Sequence, residues 1–173
     1  MAYFFILLGA ILRIIPHPGN FAPISAMALF GGTYLNKKAA LLVPLAAMVV
    51  SDFFIGFDSL TSRLMVYGSF LAIGVIGIWL RNHKNVWTVI GASLFSSVIF
   101  YLVTNLPFVH AESLYPYTLD GTIYSYINAL PFFRNTLLGD LFYTTVFFGA
   151  FELVAAWKAG KLKLNAHPSQ GTN

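Results

Sequence analysis

Polar and titratable side chains are scarce in this chain, and most of them fall in a few short runs. The first run is Arg13 to Gly32. Arg13 ends an apolar stretch, Pro16 and Pro18 break the backbone around His17, and Asn20 and Phe21 lead into a second apolar stretch. Polar side chains and broken backbone at the edge of a membrane helix are costly, so they usually serve a purpose. The run therefore reads as one lip of a ligand site. Asp52 and Asp140 form a second group. Each lies about five or six residues inside an apolar segment, roughly 8 Å below the same edge at about 1.5 Å per residue. An ionised carboxylate at that depth has to face the bundle interior and find a partner. Arg13 and Arg134 are the cations at similar depth. Two readings stay open: a structural ion pair tying helices together, or contact with a ligand or a proton.

His17, between two prolines, cannot sit in a helix, so its ring is held on a stiff turn. It is either a surface-loop histidine or a lid residue touching a substrate. A metal site would need His110 or a carboxylate brought close. Nothing in the spacing points to one, and no metal or cofactor is expected. Asn105, Asn128 and Asn135 are neutral hydrogen-bonding groups. Asn135 can cap the segment that follows it, and Asn105 ends the segment before it. Tyr115, Tyr117, Tyr124, Tyr126, Phe132 and Phe133 cluster nearby, as an interfacial belt or as the walls of an apolar pocket. The pairs Ala22/Ala26 and Ala28/Gly32 set small residues four apart, which lets helices approach closely, either within the chain or onto a separate membrane partner. Catalytic signatures are missing. There is no Gly-x-Ser-x-Gly, no His-Glu-x-x-His and no phosphate loop. Leu137 stands where an intramembrane aspartyl protease pattern needs its first glycine. No enzyme is expected, and without a nucleotide site the chain cannot itself drive ATP-coupled transport.

The elements that must position these groups follow from composition. Of 173 residues, 58% are hydrophobic and 9% charged, against about 25% charged in a soluble domain. Mean hydropathy is +0.75. That is enough apolar chain for about six bilayer passes of roughly 20 residues each. The expected fold is an all-α integral membrane bundle of about six transmembrane helices, with residues 1–158 as one helical domain and 159–173 as a polar, disordered tail. Cysteine is absent, which excludes disulfides and thiol chemistry. The net charge of +4 sits at helix ends and calls for no nucleic-acid partner. No cleavable signal peptide is read, because the first segment lacks a basic start. The segments run about Ala2–Ile15, Phe21–Leu35, Lys38–Phe57, Ser62–Leu80, Asn85–Asn105 and Asn135–Trp157. Asn20 is expected to cap the second, and Pro44 to kink the third. Gly121–Phe133 reads as a separate amphipathic stretch, interfacial or re-entrant. The first two segments are short and could form a re-entrant pair instead of two spans.

Charge sets the orientation. With six crossings and the N-terminus cytoplasmic, the inside holds Lys37, Lys38, Arg81, Lys84, Lys158, Lys161 and Lys163. The outside holds Arg13, Arg63 and Arg134. Seven against three obeys the positive-inside rule, so both termini are expected in the cytoplasm. Asp52, Asp58, Glu112, Asp120 and Asp140 then fall in the outer half, with His17, Asn20, Asn105, His110, Asn128, Arg134 and Asn135. Groups that could recognise a ligand collect there. The candidate solute-binding set is His17, Asn20, Phe21, Asp52, Asn105, Arg134, Asn135 and Asp140. The candidate partner-helix set is Ala22, Ala26, Ala28 and Gly32.

Several strings are distinctive: His17-Pro18-Gly19-Asn20-Phe21-Ala22-Pro23 running on to Ala28-Leu29-Phe30-Gly31-Gly32, Pro44-Leu45-Ala46 leading to Ser51-Asp52, Val103-Thr104-Asn105, and Leu130-Pro131-Phe132-Phe133-Arg134-Asn135-Thr136-Leu137-Leu138-Gly139-Asp140. Over about Leu12 to Gly149 the chain resembles an uncharacterised family of small bacterial membrane proteins described as candidate transport proteins. That family is similar, more distantly, to the substrate-capturing S components of energy-coupling factor transporters. The resemblance implies a six-helix protein of the bacterial inner membrane that captures a small vitamin- or cofactor-like solute at the outer face, under covering loops. It also implies that an Ala-x-x-x-Ala surface docks a transmembrane coupling subunit with ATPases. Here Ala22 and Ala26 lie on the second apolar segment, whereas S components carry that surface on the first. The alternative from a different class is a non-transporting membrane scaffold or assembly protein that binds partner helices. The aromatic residues favour a ligand with a flat or apolar part, and the lack of a basic cluster disfavours polyphosphorylated ones.

Overall fold

Six apolar runs become helices here, and four of them start behind a capping side chain. The computed structural model describes residues 1–110 and 114–160. Glu112, Lys161, Lys163 and the tail expected to be disordered from 161 onward lie outside the described residues. The helices are α1 (Ala2–Ile14), α2 (Ile24–Tyr34), α3 (Lys37–Ile55), α4 (Leu60–Leu80), α5 (Val86–Thr104) and α6 (Leu119–Lys158), with a 3-10 turn at Pro107–Val109 before α6. Asn36, Ser59 and Thr118 accept backbone N–H bonds at the starts of α3, α4 and α6. Asn85 and Thr88 close a reciprocal capping box on α5. Each cap satisfies donors that the first helical turn leaves open.

The hub is α2, which touches all five other helices. Nine of its eleven residues are buried, so its neighbours are protein on every side. Its closest neighbour is α4. A Cβ on Gly32 would overlap the Gly74 carbonyl and the Gly77 Cα, so the two backbones meet with no side chain between them, as small residues permit. Arg81 then donates to the Gly32 and Leu35 carbonyls, both at 2.6 Å, and closes the C-terminus of α2 with a charge of the favourable sign. Phe30 anchors an aromatic cluster with Phe5, Phe147 and Phe148. Pro44 stays inside α3, its ring filling the space beside Gly31.

Two expected elements are corrected. Asn20 does not cap α2. It sits ahead of the helix with φ 63°, in a turn closed by the Phe21 N–H on the Pro18 carbonyl at 2.9 Å. Asparagine tolerates that left-handed backbone where most residues do not. The helix starts later, at Ile24, behind Pro23. The second correction concerns Gly121–Phe133 and the segment expected to begin at Asn135. They are one 40-residue helix, and Pro131 lies inside it. One buried stripe explains the continuity: Gly121, Ser125, Ala129, Thr136, Asp140, Thr144 and Phe148 are all buried at helical spacing, while Pro131 is on the exposed side.

All six helices form, and four of them, α3 to α6, are long and apolar enough to cross a membrane. The count of such helices is therefore lower than the expected six. At about 1.5 Å per residue, α1 and α2 reach roughly 20 Å and 17 Å, short of a hydrocarbon core of about 30 Å. Conversely α6, at about 60 Å, is twice that thickness. Its first turns run past the end of α5, where Ser125 Oγ donates to the Asn105 carbonyl at 2.7 Å. The two ends of the bundle differ. One carries Lys37, Lys38, Arg81, Lys84 and Lys158, with Lys84 paired to Glu152. The other carries His17, Asn20, Asp52, Asp58, Asn105 and His110 where α1, α3 and α5 finish and α2, α4 and α6 begin.

Candidate functional site

At the polar end, a cavity of about 290 Å³ opens between the end of α5, the 3-10 turn and the overhanging start of α6. Its polar lining is Asn20, Thr104, Asn105, His110, Tyr115, Ser125 and Asn128, and its apolar lining Phe100, Leu114, Ala129 and Phe132. The overhang builds it: because α6 starts well before the level of α5's last turn, its stripe of Ser125, Ala129 and Phe132 stands opposite Phe100 and Thr104. Several of these groups are committed locally. Thr104 Oγ1 donates to the Phe100 carbonyl at 2.7 Å, Asn105 Nδ2 to the Tyr101 carbonyl at 2.8 Å, and Ser125 to Asn105. Asn128 Nδ2 donates to the Tyr115 hydroxyl at 3.4 Å. Among the described residues that leaves the Asn105 and Asn128 side-chain carbonyls and the Asn20 amide for a ligand. His110 Nε2 is buried and has no hydrogen-bond partner among the described residues. Burial also lowers the His110 pKa below its ordinary 6.5, because the imidazolium loses water there. The Tyr115 ring stands edge-on to His110 at 5.2 Å. Among the described residues no carboxylate, lysine or arginine lines this cavity.

Of the residues expected in a solute site, Asn20 and Asn105 line this cavity and the other six do not. His17 caps its own turn, with Nδ1 3.0 Å from the Pro18 carbonyl. Asn135 Nδ2 donates to the Gly19 carbonyl at 2.9 Å, clasping the same turn onto α6. Phe21 packs on Phe142 and Tyr143, and its backbone lies against Gly139. Phe21 and Asn135 thus hold Asn20 at the cavity mouth without lining it. Arg134 is exposed and unpaired among the described residues.

The two aspartates have separate surroundings. Asp52 is paired with Arg13 and accepts from Tyr67. Arg13 also donates to Ser51 and to the Met48 carbonyl, so α1, α3 and α4 are tied at one point. Asp140 is 2% exposed and meets no cation among the described residues. Ser97 donates to it at 2.6 Å, Ser25 is its other hydroxyl neighbour, and Thr144 and Ser93 meet one turn below at 3.2 Å. Among the described residues no three His, Asp or Glu side chains converge as a metal site. Ala26, Ala28 and Gly32 are buried within the bundle, and Ala22 is half-buried. Their close packing is against this chain's own helices.

Phe100, Thr104 and Ser125 are not separable from ordinary helix residues by type. Only the register between α5 and α6 marks them, and that register rests on α6 continuing through Pro131. The signal for His110, Tyr115 and Asn128 is plainer, since each is a hydrogen-bonding side chain in the connection or first turns beside an apolar span.

A profile of the family of unknown function DUF6580 matches residues 1–163. No curated protein and no solved structure matches the chain.

Proposed function

The chain belongs to the DUF6580 family, and we propose that it is an integral membrane protein that captures a small neutral solute at the outer face and moves it inward, in the manner of an S component. This reading is carried by the cavity at the polar end, whose described lining combines uncharged hydrogen-bonding groups with aromatic rings. Amides and a neutral imidazole recognise a ligand by donor and acceptor pattern, and they leave a net charge uncompensated. The solute class is therefore small, flat and uncharged, with several polar atoms, as vitamin- and cofactor-like heterocycles are. At about 290 Å³ the space lies at the low end for ligand pockets, which favours a single ring system.

The charge asymmetry supports the orientation. Lysines at one end and a polar mouth at the other fit both termini in the cytoplasm of a bacterial inner membrane. Movement of the solute would come from rocking of the bundle, with or without a coupling subunit and its ATPases. Any such subunit, and any scaffold partner, would have to use surfaces other than Ala26, Ala28 and Gly32, which face inward. The test is a thermal-shift screen of purified protein against neutral heterocycles. A hit should stabilise the wild type, and Asn105→Ala should weaken its binding about tenfold, the worth of one hydrogen bond. A hit that Asn105→Ala and Asn128→Ala both leave unchanged would move the site elsewhere.

A further inference from the structure

A second cavity, of about 320 Å³, opens at the same end of the bundle, between the ends of α1 and α3 and the start of α4. Four charged side chains line it: Arg13, Asp52, Asp58 and Arg63. Two of them cancel in place, because Arg13 and Asp52 pair and Tyr67 donates to the Asp52 carboxylate. The other two do not. Arg63 and Asp58 face one cavity but make no ion pair with each other or with any other described residue. Arg63 is nevertheless held: its guanidinium stands 4.8 Å over the Phe57 ring. Its Nε is buried and has no acceptor. A buried donor left open is costly, and it is an invitation to an acceptor from outside the chain. The cavity therefore offers one open cation and one open anion beside a neutralised pair, which is the complement of a zwitterion.

The surroundings indicate which zwitterion. Phe53 and Phe54, on the last turn of α3, are 71% and 72% exposed, and Leu60 at the start of α4 is 65% exposed. Large apolar side chains so open to the outside match acyl chains, and the charged cavity stands where headgroups would lie. We propose that this cavity binds the headgroup of a phosphatidylethanolamine-type lipid, with its phosphate on Arg63, its primary ammonium on Asp58 and its acyl chains along Phe53 and Phe54. Guanidinium suits phosphate because it offers paired donors in a plane. A primary ammonium can donate to Asp58, whereas choline cannot and glycerol carries no charge to match it. This inference rests on the membrane reading above but not on solute capture. Failure of the chain to enter a bilayer would count against the membrane reading.

The experiment is native mass spectrometry of the full chain released from nanodiscs of equimolar phosphatidylethanolamine and phosphatidylglycerol. The wild type should retain one phosphatidylethanolamine in preference to phosphatidylglycerol. Arg63→Gln should cut that retention about tenfold, as expected for one charge-assisted hydrogen bond. Asp58→Asn, in the connection between α3 and α4, should keep a bound lipid and abolish the preference between headgroups. It serves even if Arg63→Gln fails to fold. Equal retention of the two lipids by the wild type would overturn the proposal. So would soluble glycerophosphoethanolamine binding as tightly as the lipid, since the site would then belong to a free zwitterion.

Discussion

Asp52 and Asp140 lie at similar depth, yet removing the charge from each has unequal consequences. Asp52 neutralises Arg13, whose side chain is 13% exposed. Asp52→Ala would leave that guanidinium buried without its partner, and breaking a buried pair costs about 3–5 kcal/mol. Thermal unfolding in detergent should record a large loss for this variant. Asp140 has only hydroxyl neighbours, and a side-chain amide can still accept from Ser97. Asp140→Asn should therefore leave stability within about 1 kcal/mol of the wild type, since burying the charge gains nothing from a cation. His110 supplies a pH dependence. Its pKa is lowered by burial, so at pH values just under 6.5 the unfolded chain binds more protons at this site than the folded chain. Stability is unaffected by His110 well above 6.5 and falls as the pH drops below it. His110→Gln should flatten that part of the curve relative to the wild type. The polar residues were legible because side chains of that kind are unexpected in so apolar a chain, and Arg13 was legible as a partner for Asp52. The lack of a cation at Asp140 was also open to geometry. At about 100° per residue, six residues set Arg134 and Asp140 roughly 120° apart around α6, so one faces out when the other faces in.

At the level of elements, α2 holds the bundle together by being smaller than its neighbours. Gly32 meets the α4 backbone at Gly74 and Gly77, and no rotamer of a larger side chain relieves an overlap with backbone atoms. Gly32→Leu should abolish folded protein in size-exclusion chromatography. Gly68→Ala and Gly91→Ala, where an added Cβ meets nothing within 4 Å, should behave as wild type. The two internal prolines mark what sequence could and could not tell. Pro44 was readable as a proline inside a helix, and it is accommodated because Gly31 opposite lacks a side chain. Pro131 was read inside an amphipathic stretch, Gly121–Phe133, separate from the segment starting at Asn135; a missing N–H and a ring clash usually end a helix, yet α6 runs through it. What outweighs them is the stripe of Gly121, Ser125 and Ala129 packing on the end of α5, a tertiary contact that no local pattern announces. The cavity depends on that continuity, which is why the solute-binding set read from sequence held only Asn20 and Asn105 of its lining, while His110, Asn128, Tyr115 and Phe132 were named only as polar or aromatic groups of the same end.

The whole molecule is a bundle with a lysine-bearing end and a polar end, and cavities open at both. Apolar composition predicted a helical bundle and charge predicted the difference between its ends, but four helices, not six, are long and apolar enough to cross a membrane. Helices surrounded by protein, as α2 is, need not match a bilayer in length. The natural absence of cysteine makes the orientation directly testable. A single Asn82→Cys, at the lysine end, should react with a membrane-impermeant maleimide only after cells are opened, and a single Tyr117→Cys should react on intact cells. The reverse pattern would invert the bundle and put the polar cavity on the cytoplasmic side. Native mass spectrometry of gently purified protein reads solute capture at that cavity as bound mass. One reproducible small neutral molecule is expected, retained by Arg134→Ala and depleted about tenfold in Asn105→Ala and Asn128→Ala. Protein that is empty in every preparation, or that keeps its molecule in all three variants, would contradict capture at that cavity.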